Sequence, residues 1–164
     1  MTLNIVILLA VTLQRVGELW LARHNTQRLL EQGAHEHAPG HYPLIVAVHA
    51  LWLAALWWLA PGRPIDGFWL ALFVLLQLAR VWVIATLGER WTTRIIVLPD
   101  APLVRRGPYR FVNHPNYLVV IGEIAALPLA FGLWAVALLF TLLNAAVLAI
   151  RIREENRALA SLRA

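Results

Sequence analysis

Long apolar runs broken by short polar stretches organise the chain, and five of them stand out. The first runs from Leu3 to Leu21 and is interrupted by Gln14, Arg15 and Glu18. The second, Leu44 to Ala60, lies between Pro43 and the Pro61-Gly62-Arg63-Pro64 turn. The third runs from Phe68 to Leu87, the fourth from just after Pro115 to near Pro128, and the fifth from Leu133 to Ile150. At about 1.5 Å per residue, roughly 17–20 helical residues cross a hydrocarbon core of about 30 Å. The fourth run is short for a full crossing, and Pro128 with Gly132 predicts a tight reversal into the fifth. The pattern therefore predicts an all-α integral membrane protein of about five transmembrane helices, the last two forming a helical hairpin. It divides into a three-helix region, residues 1–96, and a C-terminal region, residues 97–164, of loop, hairpin and tail.

Composition sharpens this picture. The chain has 164 residues, of which 60% are hydrophobic and 14% charged, against about 25% charged in soluble domains. The N-terminal run has no basic stretch before it and no small-residue cleavage site after it, so it reads as a span and not as a signal peptide. Every basic residue is Arg, and their placement is one-sided. With the N-terminus outside, Arg23, Arg28, Arg90, Arg94, Arg105, Arg106, Arg110, Arg151, Arg153, Arg157 and Arg163 fall on the cytoplasmic side, and Arg63 alone falls outside. The positive-inside rule thus predicts an outward N-terminus and a cytoplasmic C-terminus, in what would be a bacterial inner membrane. Trp57, Trp58, Phe68, Trp69, Phe131 and Trp134 would form the outer aromatic belt, and Trp20 and Trp91 would lie near the inner one. A net charge of +5 placed this way fits a membrane surface and not nucleic acid. The absence of cysteine excludes disulfides, thiolate metal sites and a Cys nucleophile. His35, His37 and His41 are irregularly spaced in a polar stretch, Glu31–His41, which reads as a solvated loop with no metal expected.

Ionisable groups inside spans are costly, so each is a functional candidate or half of a pair. Arg15, Arg80, Glu123 and Asn144 come from four runs and lie roughly 9–10 Å below the same face, which suggests a shared cavity open to the cytoplasm. The structural alternative is an ion pair of Glu123 with Arg15 or Arg80. About 180° of helix separates Glu123 from His114, which favours that alternative. Arg15 and Glu18, three residues apart, could also satisfy each other. His49 reads as a helix-contact histidine.

The densest polar stretch is Leu98–Tyr117, with Pro99, Pro102, Pro108 and Pro115 among Arg105, Arg106, Arg110, Tyr109 and Tyr117. Such a loop is poor lipid-facing material and must lie at the interface or cover a site. Asn113 or His114 is placed to cap the fourth helix, with Pro115 in its first turn, and the free N–H groups there favour an anion. His114 and Tyr117 share a face. A second cluster, Arg151-Ile-Arg-Glu154-Glu155-Asn-Arg157, continues the fifth run. Asn144, Arg151 and Glu155 fall on one stripe of that helix. Taken alone, this cluster also reads as a charged helix end with a weak Arg151–Glu155 surface pair. The hairpin would nonetheless bring both clusters side by side.

The block Gly107-Pro108-Tyr109-Arg-Phe-Val-Asn113-His114-Pro115-Asn116-Tyr117, a hydrophobic hairpin, and then Arg151-Ile-Arg-Glu154-Glu155 followed by Leu159 resembles the isoprenylcysteine carboxyl methyltransferase family. The resemblance covers roughly Leu103 to Leu159, with Asn113 where the family usually has Arg. In length the chain is similar to small bacterial members, some associated with methylating polyketide-derived alkylpyrones. The resemblance implies S-adenosylmethionine as cofactor, bound from the cytoplasmic side, and O-methylation of a carboxylate or enol oxygen on a lipophilic, isoprenoid or polyketide-like acceptor arriving through the membrane lipid. It implies that Tyr109, His114, Tyr117, Glu154 and Glu155 contact the cofactor and that Arg151 orients the acceptor oxygen. Arg110 and Asn144 are candidate acceptor contacts. No glycine-rich strand-to-helix motif of soluble nucleotide folds is present. Two other readings stay open: an NADPH-dependent membrane reductase of isoprenoid or sterol type, and a small non-enzymatic membrane protein such as a transporter subunit. A transporter wants a polar pathway to both faces, whereas the outer half of these runs is almost free of charge.

Overall fold

The computed structural model describes residues 2–99 and 101–158; Leu159 and Arg163 lie outside the described residues. Five α-helices make up most of it: α1 (Thr2–Glu31), α2 (Tyr42–Leu59), α3 (Gly67–Leu87), α4 (Pro115–Ala130) and α5 (Trp134–Ala158). Four of them are long and apolar enough to cross a membrane, and α4, with 16 residues, is shorter. Large apolar side chains such as Leu13, Trp20, Leu51, Trp58, Leu75 and Leu142 point outward along the long helices. No soluble monomer leaves so much apolar surface in water; the chain is an all-α membrane protein.

α4 can be short because it is enclosed. Eleven of its residues are buried, between α3 on one side and α5 on the other, so it presents little surface to lipid. Trp52 and Leu56 of α2, Leu8 and Val11 of α1, Phe73 of α3 and Phe140 of α5 close around its Val120, Ile124 and Leu127. Pro128 sits inside α4 and cannot donate to the carbonyl one turn back. That carbonyl, on Ile124, instead accepts the Trp52 indole N–H at 3.2 Å. The N–H groups of Phe131 and Leu133 both return to the Pro128 carbonyl, and Gly132 takes φ 67°. This left-handed turn reverses the chain into α5, completing the expected hairpin. Phe131 is fully buried in the reversal and so is not an interfacial belt residue.

The arginine-rich end departs from the sequence reading in three places. α1 runs past Leu21 through Arg23 and Arg28 to Glu31. The stretch after it is largely exposed, as expected, but is not all loop. A short strand, β1 (His35–Glu36), pairs antiparallel with β2 (Ile96–Val97), and His41 is buried in a 3-10 turn, Pro39–His41. Both strands are two residues long, and the pairing joins segments distant in sequence, so no local alternation announces it. Trp91 is turned inward by a 3-10 turn at Gly88–Arg90 and is 3% exposed, not interfacial. Asn25 of α1 holds it there, donating to the carbonyls of Gly88 and Trp91 at 3.1 and 2.9 Å.

Candidate functional site

Two polar assemblies hang on α4. The deeper one centres on Glu123, 1% exposed. Arg80 grips its carboxylate with Nε at 2.7 Å and with a second, closer contact from Nη2. Arg15 Nη2 donates to it at 2.9 Å and Gln77 Nε2 at 2.8 Å. Arg15 and Arg80 also reach Glu18 Oε2, at 2.7 and 3.3 Å, while Gln14 bridges Glu18 and Gln77. Two arginines and two glutamates make a neutral network joining α1, α3 and α4. Glu123 therefore pairs with both arginines, and the four-residue polar cavity expected from depth alone does not form. Asn144 stands apart from the network, 2% exposed, and its Nδ2 has no hydrogen-bond partner among the described residues.

The second assembly is built where the start of α4 meets the end of α5. His114 occupies the N-cap position but makes no side-chain capping bond; Pro115 starts the helix. Freed from capping, the His114 ring stacks on Tyr117, with centroids 5.2 Å apart and planes 18° off parallel. Its Nε2 lies 3.3 Å from Asn156 Oδ1 and its Nδ1 3.7 Å from Glu155 Oε2. The Tyr117 hydroxyl accepts from Arg151 Nε at 2.8 Å and donates to the Glu155 carboxylate in a short contact. Arg151 is 8% exposed and is thus no surface partner for Glu155; the tyrosine stands between them.

A cavity of about 780 Å³ opens beside this chain of contacts, within the range of small-molecule and cofactor sites. Tyr109, Arg110, His114, Tyr117, Arg151 and Glu155 line it, with β2, Leu98 and residues 101–105 as its far wall. Burial, and then the charge of Glu155, push the Tyr109 hydroxyl pKa above the ordinary tyrosine range. Gly107 begins the 3-10 turn Gly107–Arg110, which carries Tyr109, and sets it close to α3. It adopts φ 55°, and a Cβ there would sit 2.5 Å from Thr86 Oγ1, so only glycine fits. Glu154, one residue before Glu155, points elsewhere. It meets His37 Nε2 at 3.5 Å and Arg157 at 2.7 Å, tying the β1 segment across the helix end. Of the sequence-predicted residues, Glu154 and Asn144 are not among the cavity's lining.

A second cavity, about 290 Å³ and mostly apolar, lies beside Leu19, Ile45, His49 and Leu53 of α1 and α2, with Arg15, Glu18 and Arg80 of the Glu123 network also in its wall. His49 Nδ1 contacts the Ile45 carbonyl at 2.8 Å, the helix contact expected of it. Trp91, Thr92, Asn116, Tyr117 and Arg151 line both cavities and form the neck between them. Of these, sequence reasoning had singled out only Tyr117 and Arg151 as site residues. A tryptophan at the end of a span is what an interfacial belt predicts, so Trp91 gave no site signal, and Thr92 gave none at all. Among the described residues, no group of three or more His, Cys, Asp or Glu is placed to hold a metal ion.

Comparison with known proteins agrees with the motif reading. The family model for "Isoprenylcysteine carboxyl methyltransferase (ICMT) family" matches residues 69–161. The chain is 39% identical over 151 residues to "Uncharacterized protein YpbQ" of Bacillus subtilis (strain 168), covering 89% of this chain and 90% of that one. It is 34% identical over 82 residues to an "Uncharacterized protein" of Haemophilus influenzae, about half of each chain (49% and 48%). No solved structure matches significantly.

Proposed function

Because the chain belongs to the isoprenylcysteine carboxyl methyltransferase family, a family of membrane methyltransferases, we propose that it moves a methyl group from S-adenosylmethionine to a carboxylate or enol oxygen of a lipophilic acceptor. The observation that carries this reading is the meeting of two unlike cavities at Arg151 and Tyr117, one wide and polar, the other narrow and apolar. The positive-inside rule would turn the wide cavity toward the cytoplasm, and its mostly apolar lining would suit the narrow one to a lipid chain.

The residues present suit the cofactor. Glu155 offers a carboxylate to a cationic ligand, and Asn116 Oδ1 is a buried acceptor without a partner among the described residues. Tyr109, His114 and Tyr117 offer ring faces and edges beside them. Glu154 would act from outside the cavity, by holding the His37 segment closed. When bound, the cofactor supplies an electrophilic methyl group on a sulfonium sulfur. The protein's part is alignment and exclusion of water. Tyr117, fixed between Arg151 and Glu155, would keep the guanidinium at the neck, where it can orient an acceptor oxygen. A raised Tyr109 pKa leaves that phenol protonated at neutral pH, so it would serve as a hydrogen-bond donor and not as a base.

One observation favours a second reading. Among the described residues, Arg90, Arg94, Arg105, Arg110 and Arg151 line the wide cavity against one carboxylate, that of Glu155, and such a wall would also suit NADPH. Calorimetric titration of the detergent-purified protein separates the two. Saturable S-adenosylhomocysteine binding, weakened in His114→Ala and Glu155→Ala and absent for NADPH, is expected. NADPH binding in its place would replace the methyltransferase with a reductase.

A further inference from the structure

The neck between the cavities holds more hydrogen-bonding capacity than the protein itself uses. Trp91 Nε1 and Arg151 Nη1 are both buried donors with no partner among the described residues. Buried donors are almost always paired, because leaving one without a partner forfeits its hydration with nothing in return. Two such donors on the residues that separate a polar cavity from an apolar one indicate that an acceptor group arrives from elsewhere. The Trp91 backbone is fixed in advance by Asn25, whose Nδ2 donates to its carbonyl at 2.9 Å. The Arg151 Nε is fixed by Tyr117 at 2.8 Å, which leaves Nη1 free to act. Both residues are thus anchored beside the neck before a ligand arrives.

We infer that Trp91 is a positioning residue, its indole N–H forming with Arg151 Nη1 a two-donor cradle for an anionic oxygen at the head of a single-chain lipid, whose tail fills the apolar cavity. This deepens the methyltransferase reading and rests on it. Within that reading it favours acceptors whose oxygen is already ionised, carboxylates and enolates, over neutral hydroxyls and amines, because both groups donate and one is permanently cationic. An oxygen held as an anion reacts with its own lone pair: the O–C bond forms as the S–C bonding pair returns to sulfur, and no proton has to be removed. That matches a neck in which the neighbouring Tyr117 hydroxyl is already committed to Glu155.

The test observes the indole directly. Full-length protein labelled with 15N-tryptophan gives one indole N–H signal per tryptophan, and Trp91→Phe identifies that of Trp91. With saturating S-adenosylhomocysteine present, dodecanoate or an alkyl-substituted cyclic enolone should move this signal downfield, while methyl dodecanoate should leave it in place. Trp91→Phe should weaken dodecanoate binding about tenfold, the loss of one charge-assisted hydrogen bond, with S-adenosylhomocysteine affinity unchanged. Should Trp91→Phe not fold, Asn25→Ala, which releases the Trp91 carbonyl, identifies the same signal by its displacement. A Trp91 signal unmoved by both anions, or moved equally by the ester, overturns the cradle. A signal that moves in protein unable to bind S-adenosylhomocysteine keeps the cradle and sinks the methyltransferase reading instead.

Discussion

The two polar assemblies on α4 draw on the same residue types, yet one is closed on itself and the other is open. Around Glu123, two arginines, two glutamates and two glutamines satisfy one another. Arg15 Nε is the only buried side-chain atom of the six without a partner among the described residues. Around Tyr117, partnerless buried atoms belong to Asn116, Arg151 and Trp91, all at the neck between cavities. A closed, neutral network in an apolar interior holds helices together, since every charge is compensated where it sits. An open one keeps capacity for a ligand. Ionisable residues within membrane spans are by default functional; here the deeper set is closed on itself, and the shallower set is the one to which we assign the proposed chemistry.

Breaking the closed assembly should have the largest effect. Glu123→Ala would strand Arg15 and Arg80 as buried cations, and removing one partner of a buried pair costs about 3–5 kcal/mol. Thermal unfolding in detergent should show a large fall in midpoint, and S-adenosylhomocysteine affinity per folded molecule should be unchanged. A midpoint at the wild-type value would mean that the network is not what binds α1, α3 and α4 together.

The open assembly should respond in the opposite sense. Glu155→Ala removes the carboxylate from Tyr117 and from the cavity wall. A hydrogen bond to a charged group contributes about 1.5–3 kcal/mol, so S-adenosylhomocysteine affinity should fall by roughly tenfold or more. The unfolding midpoint should move far less than in Glu123→Ala. Equal losses of stability in the two variants would erase the distinction between the assemblies.

How far the sequence told them apart depended on the kind of contact. The five helices, the hairpin and the Tyr117–Arg151–Glu155 grouping follow from local pattern and from one motif at two places. The half-turn separation of Glu123 and His114 already pointed Glu123 away from the site. What stayed illegible depends on contacts between distant segments: Asn25 holding Trp91, β1 pairing with β2, His37 meeting Glu154. Two-residue strands and inward-turned aromatics leave no period in the sequence. Composition pointed the wrong way for Trp91, since interfacial tryptophan is the common case in membrane proteins.

Gly107 sharpens the comparison at the start of the 3-10 turn that carries Tyr109 and Arg110 to the cavity, away from either network. Gly107→Ala meets two obstacles, a positive φ and Thr86 Oγ1 at 2.5 Å from the new Cβ. Left-handed backbone alone costs a non-glycine residue about 1–2 kcal/mol. Thr86→Ala should relieve the collision but not the dihedral, so the double variant should recover part of the lost cofactor affinity and not all of it. Full recovery would show that the glycine is required for space alone, and no recovery that the dihedral dominates.

The smallest expected effect concerns Tyr109, which lines the open region yet makes no side-chain hydrogen bond to its members among the described residues. Its hydroxyl pKa is raised, first by burial and then by the Glu155 charge, whereas in the unfolded chain it would ionise near about pH 10. The folded state therefore holds that proton more tightly, and the stability it contributes is fully present below about pH 10 and declines as pH rises beyond it. Across the neutral range the phenol does not titrate. Tyr109→Phe should lower S-adenosylhomocysteine affinity by no more than a few-fold and leave the shape of the binding-versus-pH curve between about pH 7 and pH 9 as in wild type. A limb of that curve that disappears in Tyr109→Phe would instead show a phenol that ionises while bound, and would make Tyr109 an active proton carrier in the open assembly.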